Sequence, residues 1–219
     1  MFNLILAILP TIIIIAFILW FDRYKREPLS LLIKLFIVGC LSVIPAIFLE
    51  NFLPNTIYIS TMIGVFVYSV LGIGLIEEGV KYVVTLIVAY KDKAFDEVYD
   101  GIIYCVLVSL GFATVENIMY VLAYGTSTAL LRAVTAVPAH TIFAITMGYY
   151  LGLSKAYPKQ KVYYQILAIV SPIILHGLYD FILFMAFDWG MLIFGIYGYY
   201  LYKRAFRLIG LTYDIPPFR

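Results

Sequence analysis

Long apolar stretches separated by short polar connections dominate the 219-residue chain. A transmembrane helix needs about 20 apolar residues, and seven stretches approach or exceed that length. Their approximate bounds are 4–21, 29–49, 60–90, 101–124, 130–154, 163–187 and 188–206. None shows the alternation of a membrane β-barrel, and open strands cannot cross lipid because their backbone polar groups would stay unpaired. The pattern therefore predicts an all-α polytopic transmembrane helical bundle that forms one domain over residues 1–219.

Two features predict irregular helices within this bundle. The third stretch is longer than one membrane crossing, so we expect either a tilted helix or an interfacial portion around 57–61. Pro10, Pro45, Pro138 and Pro172 lie inside predicted helices, where each frees a backbone carbonyl that needs another partner. We therefore expect distorted backbone near them, and Pro138 and Pro172 stand shortly before the chain's two histidines.

Basic residues are distributed unevenly between the connections. The connections 50–57, 125–129 and 187–190 contain no Lys or Arg, whereas the alternate connections and the tail hold most of the 15 basic residues. These are Arg23, Lys25, Arg26, Lys91, Lys93, Lys155, Lys159, Lys161, Lys203, Arg204, Arg207 and Arg219. Because cytoplasmic loops are enriched in Lys and Arg, the bias predicts an N-terminus outside and a C-terminus inside the cell. Lys34 and Arg132, near helix ends, are expected to extend toward the membrane interface.

Composition agrees with a membrane protein. The chain is 64% hydrophobic and 13% charged, with a mean hydropathy of +1.00, outside the range of soluble domains. Since membrane topology explains the basic residues, we expect the lipid bilayer and no nucleic acid as a partner. Cys40 and Cys105 lie in separate apolar stretches and are expected to be packing residues.

Three charged residues interrupt the third apolar stretch. Glu77, Glu78 and Lys81 fall within five positions, and an ionisable side chain at the centre of a membrane helix costs about 2.5–3.5 kcal/mol. On a helix, Glu77 and Lys81 share one face, so the lysine is expected to neutralise or position a glutamate. Adjacent Glu77 and Glu78 diverge by about 100°, which predicts different roles for them.

Other predicted helices also carry embedded polar groups. Glu116 and Asn117 lie in the fourth stretch, His140 in the fifth, and His176 and Asp180 one helical turn apart in the sixth. Any one of these could be a structural residue, such as a hydrogen-bonded histidine or a self-neutralising pair. Burying all of them would cost several kcal/mol apiece, so together they indicate one shared polar site.

Two classes of function fit such a site. In an intramembrane hydrolase, a glutamate deprotonates water and histidines or an amide stabilise the oxyanion, and glutamates with histidines could also hold a divalent metal such as zinc. The sequence contains no His-Glu-x-x-His and no Gly-x-Ser-x-Gly motif. The alternative is an ion- or proton-coupled transporter that uses the Glu/His cluster as a relay, although no inverted repeat is evident.

An ordered series of motifs over residues 20–185 resembles the PrsW family of bacterial intramembrane proteases. The motifs are Glu77-Glu78-Gly79-Val80-Lys81, Phe95-Asp96-Glu97, Tyr99-Asp100-Gly101, Gly111-Phe112-Ala113-Thr114, Glu116-Asn117, His140, His176-Gly177 and Tyr179-Asp180-Phe181. The resemblance implies a multi-pass peptidase of the bacterial cell membrane. It also implies site-1 cleavage of a single-span, membrane-anchored anti-sigma factor, the first step of regulated intramembrane proteolysis.

That family is in turn similar to the CAAX-protease and bacteriocin-processing superfamily, which implies roles for individual residues. Glu77 would be the general base, with Glu78 as its neighbour. His140 and His176 would polarise the substrate or bind the oxyanion, with Asp180 beside His176. The supporting residues would be Lys81, Phe112 and Asn117.

One position departs from the superfamily pattern. Where the second superfamily motif has a histidine, this chain has Glu116 after Phe112, so two carboxylates would face the water. Two neighbouring carboxylates share a proton or hold a cation, and a metal-assisted mechanism therefore stays open beside a metal-free one. The candidate metal ligands are Glu77, Glu116, His140 and His176.

Overall fold

The computed structural model describes residues 2–22, 26–53, 61–185 and 189–218. All regular elements in these ranges are helical, which confirms the predicted helical membrane bundle. The helices are α1 Phe2–Trp20, α2 Leu29–Leu41, α3 Val43–Glu50, α4 Met62–Val67, α5 Leu75–Val88, α6 Val98–Tyr124, α7 Thr126–Val134, α8 Ala136–Ala156, α9 Lys161–Met185 and α10 Gly190–Thr212. A π-helix, Tyr68–Gly74, joins α4 to α5, and a 3₁₀ turn, Pro158–Gln160, precedes α9.

Five helical segments in the described ranges are long and apolar enough to cross a membrane. They are Leu29–Glu50, Met62–Val88, Val98–Tyr124, Thr126–Ala156 and Pro158–Met185. The apolar part of α1, Leu4–Trp20, is shorter, and α10 carries Lys203, Arg204 and Arg207. The count of seven crossings and the N-out orientation therefore stay predictions.

Two of the predicted helices are broken near their prolines. The second divides at Ser42 into α2 and α3, and the fifth divides at Thr135 into α7 and α8. Pro45 and Pro138 each fall in the first turn of the following helix. The N–H groups of a first turn have no acceptor within the helix, so a proline there costs no intrahelical hydrogen bond. The other two predicted prolines lie inside continuous helices, at Pro10 and Pro172.

The third predicted helix contains the π-helix, which the sequence did not predict. The interfacial portion predicted at 57–61 lies outside the described residues, except for Thr61, which caps α4 by accepting a hydrogen bond from the Gly64 amide at 3.0 Å. The Tyr68–Gly74 π-helix ends three residues before Glu77. Its wider turn changes which side of the helix faces the bundle, and such segments often adjoin functional sites.

Close helix contact fixes the position of α5 against α9. A Cβ atom added at Gly74 would lie 2.9 Å from the Ile173 carbonyl oxygen and 3.2 Å from the Gly177 nitrogen. Only glycine permits this approach, as at the small-residue contacts of membrane helices. The contact brings the carboxylates at the start of α5 next to the histidine of α9.

Helix α6 forms the centre of the bundle. From residue 98 to residue 114 it is buried on all sides, and it packs against α8, α2 and α1. The α6–α8 contact depends on Gly101 and Gly148, because a Cβ at either would overlap the backbone of the opposite helix. This packing places Glu116 of α6 beside His140 of α8.

A second group of buried acids, which we call the loop-side cluster, lies at the start of α6. It consists of Glu27, Asp100 and Tyr104, and the Tyr104 hydroxyl donates a hydrogen bond to Glu27. Asp100 accepts from the backbone N–H groups of Asp96 and Glu97 at 2.9 and 2.7 Å, within the capping box of α6. Burial raises the pKa of Glu27 from about 4.5 to about 7, against the lowering effect of the Tyr104 hydrogen bond. The cluster therefore has a structural role, since it ties the chain before α2 to the start of α6.

Candidate active site

A buried lysine stands at the centre of the predicted polar site. The Lys81 Nζ lies 3.0 Å from Glu77 Oε2, 2.8 Å from Glu78 Oε1 and 3.1 Å from His140 Nδ1. Lys81 is 1% exposed, and its ammonium also lies over the Phe112 ring, 4.1 Å from the ring centroid. The three ammonium protons thus have three acceptors, and the positive charge offsets the two adjacent carboxylates. We call Glu77, Glu78, Lys81, His140 and His176 the central cluster.

The two neighbouring glutamates have different surroundings, as the helical geometry predicts. Glu77 lines a cavity of about 1010 Å³, and its Oε2 binds Lys81. Glu78 is fully buried, and its Oε1 accepts from Lys81 and contacts His176 Nδ1 at 2.9 Å. Glu77 can therefore meet a substrate, whereas Glu78 joins α5 to α9.

The hydrogen bonds of His140 determine its tautomer. The Lys81 ammonium can only donate, so the Nδ1 of His140 accepts from it and carries no proton. The other ring nitrogen, Nε2, then donates to Glu116 Oε2 at 3.0 Å. The Ser109 hydroxyl also donates to the His140 carbonyl at 3.0 Å. Glu116 thus orients this imidazole through the nitrogen that faces away from Lys81.

His176 lies between two carboxylates. Its Nδ1 is 2.9 Å from Glu78, and its Nε2 is 3.5 Å from Asp180 Oδ2, one turn along α9. The ring stacks on Phe143 with centroids 4.9 Å apart and meets His140 edge-on at 5.2 Å. Packing therefore fixes the plane of the His176 ring. Because the contact to Asp180 is long, Nε2 is held less tightly than Nδ1.

Arg132 belongs to the site although it was expected to extend toward the interface. Its Nη2 lies 2.9 Å from Glu116 Oε2, its Nε donates to Asn117 Oδ1 at 2.9 Å, and its guanidinium covers the Tyr120 ring at 4.1 Å. Asn117 in turn donates to the Ala7 carbonyl of α1 at 2.8 Å. Only the need of Glu116 for a counter-ion could have indicated this partner, because Pro138 predicts distorted backbone near Thr135 but not the direction in which α7 turns.

The cavity beside the central cluster has polar and apolar walls. Its ionisable lining includes Glu77, Glu116, His140, His176 and Asp180, together with Arg132 and Glu50. Glu50, at the end of α3, was not singled out in the sequence because it stands at the edge of an apolar stretch. Much of the remaining wall is apolar, with Val43, Ile47, Phe143 and Phe194 among its residues. A volume of this size is large enough for a short peptide segment.

A group of four donors in this site could hold a metal ion. One ligand atom from each of Glu77, Glu78, His140 and His176 lies within 4.8 Å of the others, and all four residues are buried. Carboxylates and imidazoles are the ligands of catalytic zinc sites, so the donor chemistry fits such an ion. This set contains Glu78 where the sequence predicted Glu116, which instead binds the outer nitrogen of His140.

The chain is similar to known proteases over most of its length. Residues 27–206 match the family described as "PrsW family intramembrane metalloprotease". The chain is 40% identical over 205 residues to "Protease PrsW" of Clostridioides difficile (strain 630), covering 91% of this chain and 86% of that protein. It is 38% identical over 210 residues to "Protease PrsW" of Geobacillus kaustophilus (strain HTA426), covering 95% and 92%, and 37% identical over 191 residues to that of Bacillus subtilis (strain 168), covering 86% of each.

No solved structure gives a significant match. The matches favour the predicted peptidase and the predicted multi-pass location in the bacterial membrane over the transporter alternative. The chain belongs to the PrsW family of intramembrane proteases.

Proposed function

We propose that this peptidase performs site-1 cleavage of a single-span, membrane-anchored anti-sigma factor, with Glu77 as the general base. The observation that carries the proposal is the position of Glu77, a buried carboxylate that lines the large cavity and is held by Lys81. Because Lys81 binds Oε2, the second oxygen, Oε1, is left to accept a proton from water. A base must lie within hydrogen-bond reach of the water that it activates.

Hydrolysis then proceeds by proton transfer through Glu77. The carboxylate takes one proton from water while the water oxygen bonds to the peptide carbonyl carbon, and the carbonyl π electrons move to oxygen. Collapse of this tetrahedral intermediate breaks the C–N bond, and the proton held by Glu77 passes to the leaving amine. The products are a new amine and a new carboxylic acid, which releases the second proton of the water to solvent, and Glu77 returns to its ionised form.

We assign the oxyanion contact to His176. The ring borders the cavity, its Nδ1 is anchored on Glu78, and its Nε2 is only loosely paired with Asp180. A proton on Nε2 can therefore be directed to a developing oxyanion. His140, whose two nitrogens bind Lys81 and Glu116, positions the base through the lysine.

The donor group also fits a metal-assisted form of the same reaction. A divalent ion such as zinc would be held by Glu77, Glu78, His140 and His176, and when bound it would supply a Lewis acid at the cavity wall. The proton transfer assigned to Glu77 and the oxyanion contact assigned to His176 are made by the side chains themselves and do not require the ion.

The substrate assignment is supported by the cavity and the family. An apolar-walled cavity among membrane helices suits a peptide that is itself embedded in the bilayer. The anti-sigma factor is the substrate that the family resemblance implies, and its cleavage would start regulated proteolysis in a stress response.

Purified protein in liposomes tests both parts of the proposal. We expect the wild type to cleave a reconstituted anti-sigma factor of the host, and Glu77→Gln to lose this cleavage because an amide cannot accept the proton. Asp214→Asn, a matched change at an exposed residue, should leave the rate unchanged. Cleavage of an unrelated single-span protein but of no anti-sigma factor would overturn the substrate assignment alone, whereas an active Glu77→Gln would overturn the mechanism.

A further inference from the structure

The Lys81 ammonium lies where the four candidate metal ligands converge. Three of its contacts, at 2.8–3.1 Å, are with Glu77, Glu78 and His140, and all three belong to the donor group. The fourth member, His176, touches the same Glu78 oxygen that Lys81 binds. The acceptor atoms of the group are therefore arranged around a positive charge that the chain itself provides.

Glu77, Glu78 and His140 also present to Lys81 the acceptor atoms that a metal requires. Because Lys81 can only donate, His140 presents an unprotonated Nδ1 to the ammonium. Glu116 holds the opposite N–H of this ring, which is the arrangement that orients metal-bound histidines. The surroundings of Lys81 thus resemble a cation site with an ammonium at its centre.

An ammonium and a metal cannot share this position. Zinc needs its nitrogen ligands at about 2.0–2.1 Å, and the His140 nitrogen that could bind it is Nδ1, because Nε2 binds Glu116. This is the nitrogen that contacts Nζ at 3.1 Å, so zinc bound to it would lie close to the ammonium. The two charges would repel each other strongly in a buried site of low effective dielectric constant. Lys81 is 1% exposed, so water does not screen this repulsion.

We propose that the Lys81 ammonium is the resident cation of this site, and that a divalent metal binds Glu77, Glu78, His140 and His176 only by displacing it. The wild-type chain then binds zinc weakly, and removal of the lysine charge strengthens binding. This proposal concerns the occupancy of the site and not the cleavage reaction. Zinc binding can be measured without any cleavage, so the proposal can fail or hold independently of the proposed function.

The test compares the zinc affinity of the wild type with that of Lys81→Met, a variant of similar length without the charge. Purified protein in detergent is titrated with zinc against a chromophoric chelator, and bound zinc is measured by elemental analysis after gel filtration. We expect Lys81→Met to bind zinc about tenfold more tightly or better, the scale on which groups next to a metal site change affinity. Lys81→Arg keeps a cation at this position, so its zinc affinity should stay as weak as that of the wild type. Lys34→Met controls for the loss of a lysine elsewhere.

Two further measurements locate the zinc and allow for misfolding. Adding His176→Ala to Lys81→Met should abolish the gain, because it removes one of the four ligands. If Lys81→Met is unstable alone, zinc during purification should restore a monodisperse protein, and the double variant should not respond. Stoichiometric zinc that stays on the wild type through gel filtration with chelator would overturn the proposal whether or not the variant folds. Equal affinities of wild type and Lys81→Met would overturn it as well.

Discussion

The two groups of buried acids in this bundle are stabilised in opposite ways. In the central cluster, Glu77 and Glu78 are paired with the Lys81 ammonium and with histidines, and Glu77 borders a cavity. In the loop-side cluster, Glu27 accepts from a phenol, and among the described residues no ion pair joins Glu27 or Asp100 to a basic side chain.

We interpret this difference as one between a candidate reactive site and a structural group. Burial raises the pKa of Glu27 to about 7, so its carboxyl becomes neutral by taking up a proton. The central glutamates are instead offset by a cation, which preserves a carboxylate that can act as a base. Buried acids alone therefore do not mark an active site, whereas buried acids with a counter-ion and access to a cavity do.

The largest expected effect comes from removing the central counter-ion. Lys81→Met leaves two buried carboxylates without their cation, and breaking a buried ion pair in this way costs about 3–5 kcal/mol. We expect a clear fall in the thermal unfolding midpoint in detergent. The midpoint of Lys81→Arg, which keeps the charge, should fall much less. Equal falls in the midpoint for both variants would show that the lysine contributes only its packing.

A smaller effect is expected from the residue that holds Glu116. Arg132→Gln removes the 2.9 Å contact to Glu116, so the carboxylate orients His140 less well. Loss of such outer partners typically reduces activity about 10- to 100-fold. Arg132→Lys should recover part of the rate, and Arg207→Gln, at an exposed position, should not change it. Unchanged turnover in Arg132→Gln would remove Arg132 from the site.

The sequence indicated which charged residues come together in the bundle, but not how they are arranged. The charged residues of the site stood out because an apolar helix tolerates few of them, and the helical bundle followed from the length of the apolar stretches. The breaks at Ser42 and Thr135 lie near Pro45 and Pro138, where the sequence predicted distorted backbone. The direction in which the chain turns there, and the Tyr68–Gly74 π-helix, depend on packing between helices, which local sequence does not specify. Arg132 was assigned to the interface for the same reason, since it is the turn of α7 that brings its side chain to Glu116.

The mildest effect is a pH dependence from the loop-side cluster. The raised pKa of Glu27 means that the folded protein holds a proton that the unfolded chain releases between about pH 4.5 and 7. The stability that Glu27 contributes is therefore fully present below about pH 4.5 and is lost as the pH rises through 7. We expect Glu27→Gln, which imitates the protonated acid, to flatten the slope of unfolding free energy against pH between about pH 4.5 and 7. An unchanged slope would mean that Glu27 does not hold this proton.

The comparison between the two clusters is tested most directly by one cleavage assay with the matched variants Glu77→Gln and Glu27→Gln in liposomes at neutral pH. Both replace a buried carboxyl by an amide of the same shape. Our account predicts that Glu77→Gln loses cleavage, because the base is gone, while Glu27→Gln keeps nearly the wild-type rate, because Glu27 does not line the cavity and an amide oxygen can still accept from the Tyr104 hydroxyl. Comparable activity in the two variants, or activity lost only in Glu27→Gln, would contradict it.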